Sequence, residues 1–122
     1  SNLVIHELAH KLDMLNGAAN GMPPLHPGMS VSDWSHAMQQ AYDHLNHYLD
    51  HHNPDHAPID PYAGENPAEF FAVISEYFFT APDLLHHAYA QVYQQLCLFY
   101  RQDPLARLQK LQSEHPHYRA PH

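Results

Sequence analysis

His6 and His10 stand four residues apart around a carboxylate, in the pentapeptide His6-Glu7-Leu8-Ala9-His10. On an α-helix that spacing puts both imidazoles on one face, where they can offer their nitrogens to a single metal ion. Glu7 then projects beside the metal, placed to take a proton from a bound water. This HExxH pattern is the signature of a zinc peptidase's active-site helix. The alternative is a buried polar network without metal, in which each group left unpartnered would cost about 1–3 kcal/mol.

The elements that must position these residues read as helices. Leu3, Val4, Ile5, Leu8, Ala9, Leu12 and Leu15 cover most of the circumference of a first helix from about Asn2 to Leu15, so the helix is expected to be buried. Asn16-Gly17 is its stop signal, and the glycines and prolines between Gly17 and Ser30 predict a long ordered loop. Ser30 or Ser32 caps a second helix through about Asp50, with Val31, Trp34, Met38, Tyr42, Leu45 and Leu49 recurring every three or four residues. Its other face carries His44, His47 and His51, a solvated histidine face or a surface metal site. After a proline-rich connection, Asn66-Pro67 starts a third helix over Ala68–Phe79, dense in Phe70, Phe71, Val73, Ile74, Tyr77 and Phe78. Ala81-Pro82-Asp83 breaks it, one continuous fourth helix runs from Leu84 to about Tyr100, and a short one runs from Pro104 to about Leu111. No strand pattern is evident, so the fold class expected for this chain is all-α. The expected organisation is one helical core over residues 1–112 and a mobile polar tail over 113–122.

Composition bounds the function. At 122 residues the chain is one domain or part of one, able to bury about two thirds of its unfolded surface. A formal charge of −8 with only five Lys and Arg argues against nucleic-acid or anionic-membrane partners. Protonating all 14 histidines would move the charge from −8 to +6, so the surface should change character below about pH 6. Cys97 is the sole cysteine, which excludes an internal disulfide and suits a reducing compartment. No run of 18 apolar residues and no signal-peptide pattern is present. The chain begins almost on top of the pentapeptide, so an upstream portion, carrying any sheet, is expected to be missing.

A hydrolytic zinc ion usually has three protein ligands. The extended HExxHxxGxxH form is closed here, because those positions hold Asp13 and Asn16. Asp13 is one turn beyond His10 on the same face, suited to orienting that ring or simply to a helix surface. The remaining candidates are Glu69 and Glu76, seven apart on one face of the third helix and about 10 Å apart along it. Both cannot bind one ion, and spacing alone does not separate them. Asn66-Pro67-Ala68-Glu69 also matches a capping box, which would occupy Glu69 otherwise.

Two stretches together, Asn2-Leu3-Val4-Ile5-His6-Glu7-Leu8-Ala9-His10-Lys11-Leu12-Asp13 and Asp60-Pro61-Tyr62-Ala63 with Asn66 through Phe79, closely resemble the Mlc titration factor A family. The similarity continues through Ala81-Pro82 and Phe99-Tyr100-Arg101-Gln102-Asp103-Pro104-Leu105. These are bacterial zinc peptidases of the gluzincin kind, whose catalytic region looks like that of anthrax lethal factor. The resemblance implies that the chain is the helical catalytic part of an α+β zincin-like domain. It implies one Zn²⁺ per chain, with His6, His10 and Glu69 as ligands, Glu7 as general base and Tyr62 as the active-site tyrosine. Without it, Tyr62 reads as a packed loop aromatic. Glu76 is left as a polar residue needing a partner.

The implied activity is zinc-dependent hydrolysis of a peptide or protein substrate, with an aminopeptidase as the narrower expectation. The competing reading is a protein-binding module that sequesters a transcriptional repressor, Mlc, independently of catalysis. The expected location is cytoplasmic. A purely structural zinc site is disfavoured, because three ligands and no cysteine would form it.

Overall fold

The computed structural model describes residues 2–119. Six α-helices account for most of them: α1 (Leu3–Asp13), α2 (Val31–His51), α3 (Pro67–Thr80), α4 (Pro82–Ala88), α5 (Ala90–Tyr100) and α6 (Pro104–Glu114). Short 3-10 turns cover Met14–Asn16, Pro54–His56 and Pro61–Gly64. There is no strand among the described residues, so the chain is all-α. Helix α6 continues two residues past the predicted core limit at 112, and residues 120–122 of the predicted tail lie outside the described residues.

Local chemistry sets the helix starts. Asn2 Oδ1 accepts the Ile5 N–H at α1, Ser30 Oγ accepts the Asp33 N–H at α2, and Asn66 Oδ1 accepts the Glu69 N–H at α3. Pro67, Pro82 and Pro104 occupy first-turn positions, where a missing N–H costs nothing. Arg101 closes α5 in the left-handed conformation, φ 55° and ψ 45°.

Helix α3 is the hub. It packs on α1, α4, α5 and the Pro61–Gly64 turn, while α2 packs on α5 and the same turn. The core between them holds Trp34, Leu45, Phe71, Ile74, Phe78, Leu85, Val92 and Leu96, all under 2% exposed. Trp34, Phe71 and Phe99 meet ring to ring at centroid distances of 5.6–6.1 Å.

Two expectations are corrected. Helix α1 is not buried all round: Ala9 and Asp13 are buried, but Leu3, Val4 and Leu8 are 70%, 68% and 55% exposed, and Leu15 in the following turn is 70% exposed. The helix rests chiefly on α3, so its outer side has no cover among the described residues. The expected fourth helix is two helices. Tyr89 leaves helical geometry at φ −144°, ψ 79° and starts α5 as its N-cap. No glycine or proline marks the break. The Tyr89 hydroxyl bonds His44 Nδ1 on α2 at 2.9 Å, a contact across 45 residues.

The loop between α1 and α2 is tied to both site helices at Gly21. Its N–H donates to Asp13 Oδ2 at 2.7 Å, from the last residue of α1. Gly21 has φ +81°, and a Cβ there would lie 2.7 Å from the carbonyl oxygen of Pro67, the first residue of α3. Gly21→Ala is therefore expected to destabilise the fold by about 1–3 kcal/mol, combining left-handed strain with a backbone clash. A thermal or urea melt measures it, and an unchanged midpoint would contradict this account of the loop.

Candidate metal centre

His6 and His10 project from the side of α1 that faces α3, with ring centroids 4.8 Å apart. Asn66 and Pro67 fix where α3 begins, and so place Glu69 in its first turn opposite both rings. His6 Nε2 lies 3.0 Å from Glu69 Oε2, and His10 Nε2 lies 2.9 Å from Glu69 Oε1. The Glu69 side chain thus faces the histidines; the cap at Asn66 uses only its backbone N–H. One potential ligand atom from each of the three residues lies within 4.8 Å of the others, the only such group of three or more among the described residues. A tetrahedral zinc ion with bonds of 2.0–2.2 Å needs ligands about 3.4 Å apart, so small side-chain adjustments suffice. Two imidazoles and one carboxylate also match a hydrolytic donor set, which leaves a coordination position open.

Glu76 is the partner that spacing left unassigned. Its Oε1 lies 2.5 Å from His6 Nδ1, and its Oε2 accepts the Asn2 N–H at 2.8 Å. One carboxylate therefore orients the His6 ring and holds the start of α1. Asp13 takes a different task from the one considered for it. It is fully buried, with Oδ2 engaged by Gly21 and Oδ1 without a hydrogen-bond partner, so it anchors a loop rather than His10.

With a carboxylate at each nitrogen, the metal-free His6 ring satisfies both only as the imidazolium. Burial favours the neutral ring, but the hydrogen bonds and charges of Glu76 and Glu69 outweigh it and hold the His6 pKa above 6.5. A raised folded-state pKa stabilises the metal-free fold below the unfolded value, and that contribution is lost as pH rises through the folded value. A metal needs the Nε2 lone pair, so its affinity should climb over the same interval with release of a proton. Titration calorimetry in buffers of different ionisation enthalpy would show this release; an affinity flat between about pH 6 and 8 would contradict it.

Glu7 is exposed and lines the same cavity of about 690 Å³ as His6, His10, Tyr62, Glu69 and Glu76. Tyr62 sits on the Pro61–Gly64 turn, half-exposed, with its ring stacked on His6 at 6.2 Å and 29°. The Glu69 charge, with a smaller contribution from burial, raises the Tyr62 pKa above 10, so its hydroxyl remains a donor. The structure thus brings together all five residues singled out in the sequence and adds Glu76 to them. By contrast, His44, His47 and His51 form no three-ligand group. His44 engages Tyr89, and His51 Nδ1 donates to the His47 carbonyl at 2.8 Å.

Residues 1–101 match the family described as glucose-regulated metallo-peptidase M90. The chain is similar to Mlc titration factor A of Yersinia enterocolitica, at 51% identity over 114 residues, covering 93% of this chain and 42% of that protein. It is similar to the proteins of that name from Yersinia pestis strain Pestoides F and Yersinia pseudotuberculosis serotype O:1b, at 53% identity over 110 residues, covering 89% of this chain and 40% of each protein. The chain thus spans about two fifths of the length of these relatives.

Proposed function

The chain belongs to the glucose-regulated M90 metallopeptidase family, and from that premise we propose that it carries the zinc-dependent hydrolytic centre of a peptidase. The observation that carries the reading is the convergence of His6, His10 and Glu69 on one point within a cavity that also holds a free carboxylate and a phenol. In this reading His6 Nε2, His10 Nε2 and Glu69 hold one zinc ion. When bound, that ion lowers the pKa of a water and polarises the scissile carbonyl.

The chain's own residues do the rest. Glu7 takes the water's proton and returns it to the leaving amine. The Tyr62 hydroxyl donates to the oxyanion that grows as the carbonyl is attacked. Glu76 holds His6 by its Nδ1–H, so that Nε2 is the nitrogen presented. The substrate is a peptide or protein, and aminopeptidase action is the narrower form of the proposal.

Metal content by mass spectrometry, measured on protein purified without chelators and paired with a peptide panel, tests this reading. The expected result is one zinc per chain and hydrolysis that a chelator stops and added zinc restores. Protein that hydrolyses peptides equally well after chelation would overturn it.

The name of the relatives, Mlc titration factor A, favours a second reading, sequestration of an Mlc-like transcriptional repressor. A cytoplasmic site of action is part of that reading. No helix among the described residues is long and apolar enough to cross a membrane, and the net charge of −8 disfavours nucleic acid as the partner. Pull-down with Glu7→Gln separates the two readings: retained repressor binding without hydrolysis would make them independent activities.

A further inference from the structure

Tyr62 presents a problem of support. Tyr62 is 50% exposed, and its side chain meets the site at two places, the His6 ring on which it stacks and the Glu69 carboxylate near its hydroxyl. Where that side chain starts from is set by the backbone of the Pro61–Gly64 turn. The trailing end of that turn is fixed on α2: a Cβ on Gly64 would lie 2.9 Å from Leu49 Cδ1 and 3.0 Å from Asn46 Oδ1, and the Tyr42 hydroxyl donates to the Gly64 carbonyl at 3.3 Å. The leading end is fixed differently. Asp60 Oδ1 accepts the Tyr62 N–H at 2.9 Å, and the Asp60 N–H donates to the hydroxyl of Tyr77 at 3.0 Å, across 17 residues. Pro61 comes between and has no N–H of its own to contribute.

Tyr77 lines the same cavity and follows Glu76 on α3. One turn of α3 therefore holds His6 through a carboxylate and the Tyr62 turn through a phenol. We propose that Tyr77 is a positioning residue for Tyr62, its hydroxyl setting the turn that presents the Tyr62 hydroxyl to the reacting carbonyl. This rests on the reading of Tyr62 as oxyanion donor given above. The role proposed for the phenol is exercised through the Asp60 backbone.

A double-mutant cycle on the zinc-loaded protein tests it. Tyr77→Phe keeps the ring and removes the acceptor. It is expected to lower kcat about tenfold with KM and zinc content unchanged, the size of effect a small misplacement produces. Tyr62→Phe is expected to lose about 10²–10³-fold. In the Tyr62→Phe background, Tyr77→Phe should cost nothing further, because the group it positions is gone.

Two measurements by NMR do not depend on turnover. Tyr77→Phe should speed hydrogen exchange at the Asp60 amide and weaken the cross-relaxation between the Tyr62 and His6 rings. An unchanged kcat in Tyr77→Phe, an equal loss on both backgrounds, or an Asp60 amide and Tyr62–His6 contact as in the parent would overturn the proposal. If Tyr62→Phe alone retains full turnover, the oxyanion role of Tyr62 fails, and the two NMR measurements alone decide whether Tyr77 sets the turn.

Discussion

Glu7→Gln is expected to leave the metal site intact and to remove about two to four orders of magnitude from turnover, the usual worth of a positioned general base. Glu7 is exposed on α1 and belongs to neither the His6–Glu76 nor the His–Glu69 contacts, so nothing in the ligand set depends on its charge. Glutamine keeps the size and can still hold a water by hydrogen bonding, but it cannot accept the proton. The informative measurement is therefore zinc content beside kcat on the same preparation. Full metal with lost turnover is the expected result. Lost metal would move Glu7 into the ligand set, and retained turnover would remove it from the mechanism.

Glu69→Ala and Glu76→Ala should separate just as sharply, although the two glutamates share a helix face. Removing Glu69 takes away the only carboxylate among the described residues that faces Nε2 of both histidines. Metal affinity should fall well beyond the roughly 10–100-fold loss typical of an outer partner, and turnover should vanish with it. The Asn66 cap uses the Glu69 backbone N–H, so α3 should still start at the same place and the fold should survive. Glu76→Ala removes the partner of His6 Nδ1 instead, for which the roughly 10–100-fold loss is the expected size. It also frees the Asn2 N–H, so α1 should fray at its first turn. Competition for zinc against a chromophoric chelator reads both affinities. Equal losses in the two variants would refute the division of labour drawn from the geometry.

The reasons some of this was legible in the sequence are specific. Residue type alone names Asn66 as the cap of α3 and leaves Ser30 and Ser32 as choices for α2, whereas the Asn2 cap of α1 is seen only in the structure. The HExxH spacing fixed the relation of His6, Glu7 and His10 because all three ride on one rigid element. The choice between Glu69 and Glu76 was not readable from spacing. It depends on how α1 lies along α3, which no periodicity encodes; family resemblance favoured Glu69 as the ligand. The break at Tyr89 has no breaker residue, only a tertiary bond to His44. The exposed side of α1 was misread because an apolar sequence reports what could be covered, not what is present to cover it. Asp13 was misplaced for a related reason: its partner is Gly21, a loop residue whose position the helix pattern does not constrain.

The His6–His10–Glu69 cup is held by a scaffold of the chain's own side chains. Capping side chains set the two helices, the Asp13–Gly21 link and its contact with Pro67 brace them, and the aromatic core lies behind α3. A metal held there would sit on capped helices backed by an aromatic core, unlike a zinc finger, in which coordination and folding are a single event. Under the proposed reading, loading the cup would exchange a proton on His6 for a cation, so occupancy would follow pH as well as supply and ligand preference.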